Sequence, residues 1–249
     1  MHCSQLKLSA RYKINMARVF SFFWIKNQAK KGVTILELAI VITIISLIVS
    51  GILYGKTMQR NAEINTLLAE MQKFNAAALQ FQTTYSGLPG DFRRASQYWG
   101  VASTNGNGNG NIEIETSDES FLALQHLALA ELVEGSYSGT WSGAFTPETN
   151  IFASKIGNGA VVYLGCCGTS VGTLKFRNYV NAFVANITSH SAIVSGIEAQ
   201  GMDKKIDDGI PDFGMFGSTG ASCVTGAGKD STYQINEGIN CQVYLGYDN

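Results

Sequence analysis

Between Val33 and Tyr54 the chain reads VTILELAIVITIISLIVSGILY, 22 residues with a single charged side chain, Glu37. As a helix this run spans about 33 Å, enough to cross a hydrocarbon core of about 30 Å. Charge is sorted around it. Residues 1–32 carry Lys7, Arg11, Lys13, Arg18, Lys26, Lys30 and Lys31 and no acid, so they hold +7 of a chain whose net charge is −1. The remainder holds −8. A basic head before an apolar run keeps the N-terminus cytoplasmic and sends the acidic body across the membrane. A cleaved secretory signal has a shorter apolar region and a small-x-small site at its far end. Here the run is too long and Ser50-Gly51-Ile52 is a poor site, so the segment reads as an anchor that stays. With 45% hydrophobic and 15% charged residues the chain is not a disordered one, and no nucleic-acid partner is expected.

Glu37 is the exception within the run. A carboxylate at the centre of a membrane helix costs about 2.5–3.5 kcal/mol, less near the interface. One reading is an acid in the first turn, favoured by the helix dipole. The other requires a cationic partner, and a cut after Gly32 creates one. The new amino group of Val33 would lie four residues back on the same helix face.

With those residues in view, KKGVTILELAIVITIISLI closely resembles the type III signal sequence of type IV prepilins and type II secretion pseudopilins. The resemblance implies cleavage by a prepilin peptidase after Gly32, N-methylation of Val33, and a role for Glu37 in registering subunits during filament assembly. Many members have phenylalanine where this chain has Val33. The leader implied is 32 residues long; Met16 starts a 17-residue leader, MARVFSFFWIKNQAKKG, of more usual length. Either way Phe20 to Trp24 and Cys3 belong to a discarded peptide.

Helical periodicity continues beyond the run. Ile64, Leu67, Leu68, Met71, Phe74, Ala78, Phe81 and Tyr85 recur at steps of three and four, with Asn61, Glu63, Asn65, Glu70, Gln72 and Lys73 between them. No proline precedes Pro89, so one helix over Thr34 to Thr84 is expected, with Gly51 and Gly55 as its weak points. This divides the chain into a leader (1–32), a membrane or filament-core helix (33–55), its amphipathic continuation (56–84) and a globular head (85–249).

Of the 27 glycines, 21 follow residue 101, so the head is dense in turns. Leu88-Pro89-Gly90-Asp91 ends the long helix, and Asp91 is expected to cap a short helix through Tyr98. Asn105 to Asn111, NGNGNGN, reads as a flexible turn. Thr116 with Glu119 has capping-box spacing for a helix through Glu134, closed by Gly135, with His126 a partly buried structural residue. Strands are expected at Ile151–Ile156, Ala160–Leu164, Val171–Phe176, Tyr179–Ala185 and Cys241–Leu245, and a helix over Ala192–Met202. The fold class is α+β, a pilin-like long helix packed on an antiparallel sheet with glycine-rich loops. The stretches LPGDFRRASQYWG, QHLALAELVEGSYSG and MDKKIDDGIPDFG extend the resemblance to a subgroup of bacterial prepilin-type proteins.

Asp203, Asp207, Asp208 and Asp212 place four carboxylates within ten residues. They are candidate calcium ligands, since a hard cation offsets their repulsion and major pseudopilins bind calcium in a C-terminal loop. The alternative is solvated turn residues compensated by Lys204 and Lys205. Cys223 and Cys241 enclose 17 residues near the C-terminus, the place where many pilins carry a disulfide. Cys166 and Cys167 have no CxxC or zinc spacing, and a second connectivity through them stays open. No GxSxG, HExxH or P-loop occurs, so an enzyme is not expected.

The resulting reading is a structural subunit, prepilin or pseudopilin, of a type IV pilus or type II secretion-like filament. It implies an inner-membrane location with the head periplasmic, then a place in the filament. Expected partners are the prepilin peptidase, other pilin subunits, and the platform protein and assembly ATPase. The alternative is a membrane-anchored periplasmic binding protein, or a calcium-dependent adhesin, carrying a pilin-type signal.

Overall fold

The computed structural model describes residues 32–100, 103–113, 118–156, 160–166, 178–186, 189–220 and 222–246. The expected strand Val171–Phe176, Thr116, Cys167 and the leader before Gly32 lie outside these residues. The chain divides between Leu53 and Tyr54 into two units. A single helix, α1 (Ile35–Tyr85), runs through both. It matches the expected span to within a residue at each end, because nothing in 51 residues breaks the backbone ladder.

In the first unit every described residue is exposed, and the apolar window of α1 is 0% buried. By length and composition α1 can cross a membrane. Its hydroxyls return to the helix backbone: Thr43 to the Ile40 carbonyl at 2.8 Å, Ser46 to Ile42 at 2.7 Å, Ser50 to Ser46 at 2.8 Å. Those donors therefore need no water, as a lipid environment demands.

In the second unit the remainder of α1 is amphipathic. Ile64, Leu67, Leu68, Met71, Phe74, Ala77, Ala78 and Phe81 are buried in one core. Burying each of the larger side chains is worth about 1.5–3 kcal/mol. Then follow α2 (Ala95–Trp99), α3 (Glu119–Leu129), β1 (Phe152–Ala153), β2 (Ala160–Cys166), β3 (Asn178–Asn186), β4 (Ser189–Ser191), β5 (Val194–Ser195), α4 (Gly196–Ile206), β6 (Phe216–Thr219), β7 (Val224–Thr225), β8 (Thr232–Tyr233) and β9 (Ile239–Gly246). Seven strands form an antiparallel sheet in the order β1-β2-β3-β9-β5, with β4 on β3 and β6 on β9; β7 and β8 pair separately. The head is α+β, with β9 central and its residues from Val243 to Gly246 buried.

Several local expectations give way to longer-range contacts. Asp91 caps nothing: α2 begins at Ala95 after Arg94, without a side-chain cap. α3 ends at Leu129, five residues before Glu134, and its N-cap is Asp118 in a left-handed conformation with no side-chain bond. α4 starts at Gly196 rather than Ala192, because Ser195 and Glu198 form a capping box there and Val194–Ser195 pairs with β9. Glu70, on the expected polar face, is buried; its carboxylate accepts from the Ser154 hydroxyl and, at 3.2 Å, from the Lys155 amide.

Candidate functional site

Just before α1, Gly32, Val33 and Thr34 lie outside any helix or strand and are exposed, and helix begins at Ile35. The Thr34 hydroxyl accepts from the Glu37 amide at 3.2 Å, and the Thr34 carbonyl accepts from Leu38 at 3.1 Å. Thr34 is thus the N-cap of α1, and Thr34-x-x-Glu37 has the spacing of a capping box, a local signal of helix start within the sequence. Glu37 stands in the first turn, exposed, where a carboxylate complements the helix dipole. Gly32, Val33 and Glu37 are therefore presented together, all exposed, at the start of α1.

The four candidate calcium ligands separate. One oxygen each from Asp203, Asp207 and Asp208 falls within 4.8 Å of the others. Asp212 is elsewhere: its carboxylate accepts from the Gly228 amide, while its own amide donates to Ser231 Oγ at 3.2 Å. Asp203 is fully buried; it accepts from Gly209 N at 3.0 Å and from the Tyr233 hydroxyl at 2.7 Å. Burial, and then the hydrogen bond to Asp207, push the Asp203 carboxyl up to about 8. Asp207 moves the opposite way. Burial opposes its charge, but the Asp203 hydrogen bond and the amides of Phe216, Met215 and Asp208 hold it below the ordinary carboxylate range. Asp208 accepts from Ile210 N at 2.8 Å. Amides and the Tyr233 hydroxyl answer part of this set, while Asp203, Asp207 and Asp208 keep one oxygen each close enough together to share a cation, with Asp212 outside the group. Asp203 and Asp207 tie the C-terminal end of α4 to β8 and β6.

The asparagine-glycine loop is likewise built around acids. Asp91 accepts from Asn109 N at 2.9 Å and Gly110 N at 2.7 Å; Glu119 accepts from Asn107 N at 3.0 Å and Glu113 N at 3.1 Å. Asn107 and Asn109 each accept from the amide two residues on, at 2.9 Å. The stretch is a shaped anchor, with amides aimed inward, rather than a plain turn. Gly90 is obligatory beside it: at φ +87° a Cβ would stand 2.3 Å from the Glu119 carbonyl. The Gly90 amide donates to His126 Nδ1 at 2.9 Å, and the opposite ring nitrogen lies 2.9 Å from the Thr104 carbonyl, which requires Nε2–H. Burial lowers His126 to about 4, so it is neutral and fully, not partly, buried. Phe81 and Trp99 stack on it at 6.2 and 5.9 Å.

Cys223 and Cys241 form a disulfide that joins the β7 hairpin to β9. Cys166 ends β2, paired with Asn178 of β3. No protein-family model matches the chain, and neither a characterised protein nor a solved structure matches it.

Proposed function

We propose that the chain is a filament subunit of the prepilin or pseudopilin kind, anchored by α1, processed after Gly32 and assembled through the same helix. The observation that carries the reading is the division of labour within α1. Its second half is core to the head, whereas its first half is apolar and uncovered, with Glu37 in the first turn directly after Lys30-Lys31-Gly32. An uncovered apolar helix requires a partner, first lipid and then like helices. The seven cations of the leader cannot follow it into an apolar bundle, which makes their removal a condition of assembly. The prepilin peptidase acts first; the platform protein and ATPase then draw the processed subunit into the filament. The work of the protein is packing, not catalysis.

Co-expression with a prepilin peptidase tests the reading. The mature chain should begin at N-methyl-Val33 by mass spectrometry, and Gly32→Val should block the cut by crowding the scissile backbone. A binding protein or adhesin on an ordinary anchor keeps its leader, and that result removes the proposal.

A further inference from the structure

The head has an apolar foot. α4 runs alongside α1 in the same direction: Arg60 meets Glu198 at 2.6 Å, and Asn65 accepts from Lys205 at 2.5 Å. The N-terminal end of α4 therefore lies toward Tyr54. β9 supplies a second ruler. Gly246 at its end accepts from Asn75 at 3.5 Å, and Ile239 at its start lies seven residues back, about 23 Å in strand geometry. Fifteen residues of helix from Asn75 to Arg60 cover a similar length, about 22 Å, and Ile239 is in register with Ser195, whose amide donates to the Glu198 carboxylate that Arg60 meets. Arg60 also donates to the Ile193 carbonyl at 3.1 Å, and Ile193 N to the Cys241 carbonyl at 2.8 Å, which closes the same layer.

Three isoleucines crowd this end, all exposed: Ile197 at 46%, Ile235 at 62% and Ile239 at 52%. They are neighbours. A Cβ on Gly196 would stand 1.9 Å from the Gln234 carbonyl, and Ser195 is in register with Ile239. The loop between Gln234 and Asn240 is tied by internal bonds. Gln234 N donates to the Cys223 carbonyl at 2.8 Å, Asn236 Nδ2 to Ser222 O and Asn240 Nδ2 to Asn236 Oδ1, each at 2.9 Å, and the Cys223–Cys241 disulfide clamps its base. Its asparagine side chains are taken up by bonds within the loop and to Ser222, while its isoleucines are exposed. Tyr54 and Lys56, both exposed, precede Arg60 by about 9 and 6 Å of helix. They are residue types that settle at a bilayer interface.

We propose that Ile197, Ile235 and Ile239 seat the head in the interfacial layer of the bilayer on the head side. The inference rests on the membrane-anchored reading above. Tyr54 directly follows the apolar run in sequence, and this is the end of the head that carries Tyr54. The interfacial layer is about 5–7 Å deep on each side, within reach of side chains at that level. Glu237 lies between two of the isoleucines, so the attraction is apolar rather than a pull of cations on anionic headgroups.

The test uses the full chain in vesicles of phosphatidylethanolamine and phosphatidylglycerol carrying a trace of radiolabelled phospholipid. A benzophenone amino acid is placed singly at Ile235, at Ile239 or at Tyr98. Tyr98 is exposed but packs on Tyr85, about 38 Å of helix beyond Arg60. After irradiation, lipid label at positions 235 and 239 should exceed that at 98 several-fold. Equal label at all three, or transfer from 235 and 239 only to a second copy of the chain, overturns the proposal. Carbonate extraction separates the two layers of inference. A chain released by carbonate defeats both the anchor and the foot, whereas a retained chain without label defeats the foot alone.

Discussion

Arg60 Nε lies 2.6 Å from the Glu198 carboxylate, which also accepts from the Ser195 amide at 2.8 Å and so closes the capping box of α4. One acid thus starts a helix and ties it to α1, 138 residues away in sequence. Arg60 is raised in turn, first by that hydrogen bond.

Arg60→Met should cost about 1–2 kcal/mol, a moderate value because both side chains keep some exposure and solvent screens them. Glu198→Ala should cost more, since it also opens the capping box, by a further ~0.5–1 kcal/mol. Urea unfolding of the two variants checks the order. Equal losses would mean that the cap contributes nothing.

His126 gives the head an acid-sensitive point. Its folded value, about 4, lies below the ordinary 6.5, so the unfolded chain takes a proton that the native chain refuses. The histidine's contribution is full above pH 6.5 and is lost as pH falls through 4, amounting to up to about 3 kcal/mol. His126→Gln can still accept from Gly90 and donate to Thr104. Melting temperature against pH should be flatter between 6.5 and 4 in this variant.

Asp203 has the opposite sign. Raised to about 8, it holds a proton that the unfolded chain releases near 3.8, so its contribution is present below that value and is lost as pH rises through 8. With His126 titrating below 6.5, the two effects oppose each other on the acid side, and the Asp203 loss stands alone from 6.5 to 8. Asp203→Asn should remove that decline in thermal melts. Adding EDTA should leave the wild-type melting temperature unchanged; a fall would put calcium at the cluster.

Glu37→Val should leave insertion and cleavage intact, since it removes a cost and spares the cut site. Filament yield in the sheared fraction should nevertheless collapse. In packed helices the Val33 amino group of one subunit, still cationic after methylation, would be stranded without the Glu37 carboxylate of a neighbour, at about 3–5 kcal/mol per addition. Normal yield from a processed variant would leave Glu37 as a dipole complement worth about 0.3–1 kcal/mol.

Opening the Cys223–Cys241 bridge should cost the head about 3 kcal/mol, the chain-entropy value for a loop of this length. The double serine variant, melted beside the wild type, reports it. It should also loosen the backbone of residues 234–240, seen as faster amide exchange there.

What the sequence determined by itself is local or periodic. The apolar run, the reach of α1 to Tyr85 and its buried stripe follow from spacing of three and four, which any helical backbone turns into one face. Basic residues before that run and Glu37 within it are legible for the same reason, and the strands around Ala160, Tyr179 and Cys241 were readable from their β-branched and aromatic runs. What only the tertiary structure decided is the employment of polar groups by distant backbone. Asp91 looks like a helix cap, worth about 1 kcal/mol, yet it serves two amides 18 and 19 residues on, which burial would otherwise leave unpaired. Glu70 has the spacing of a solvent face and is buried because Ser154 and Lys155 arrive beside it. The four aspartates lie within ten residues of chain, but the turn at Gly209 and Pro211 sends Asp212 to the Gly228 segment and leaves three together. Such pairings depend on which segments the sheet brings into contact, and a carboxylate answers whichever donor arrives, not the one nearest in sequence.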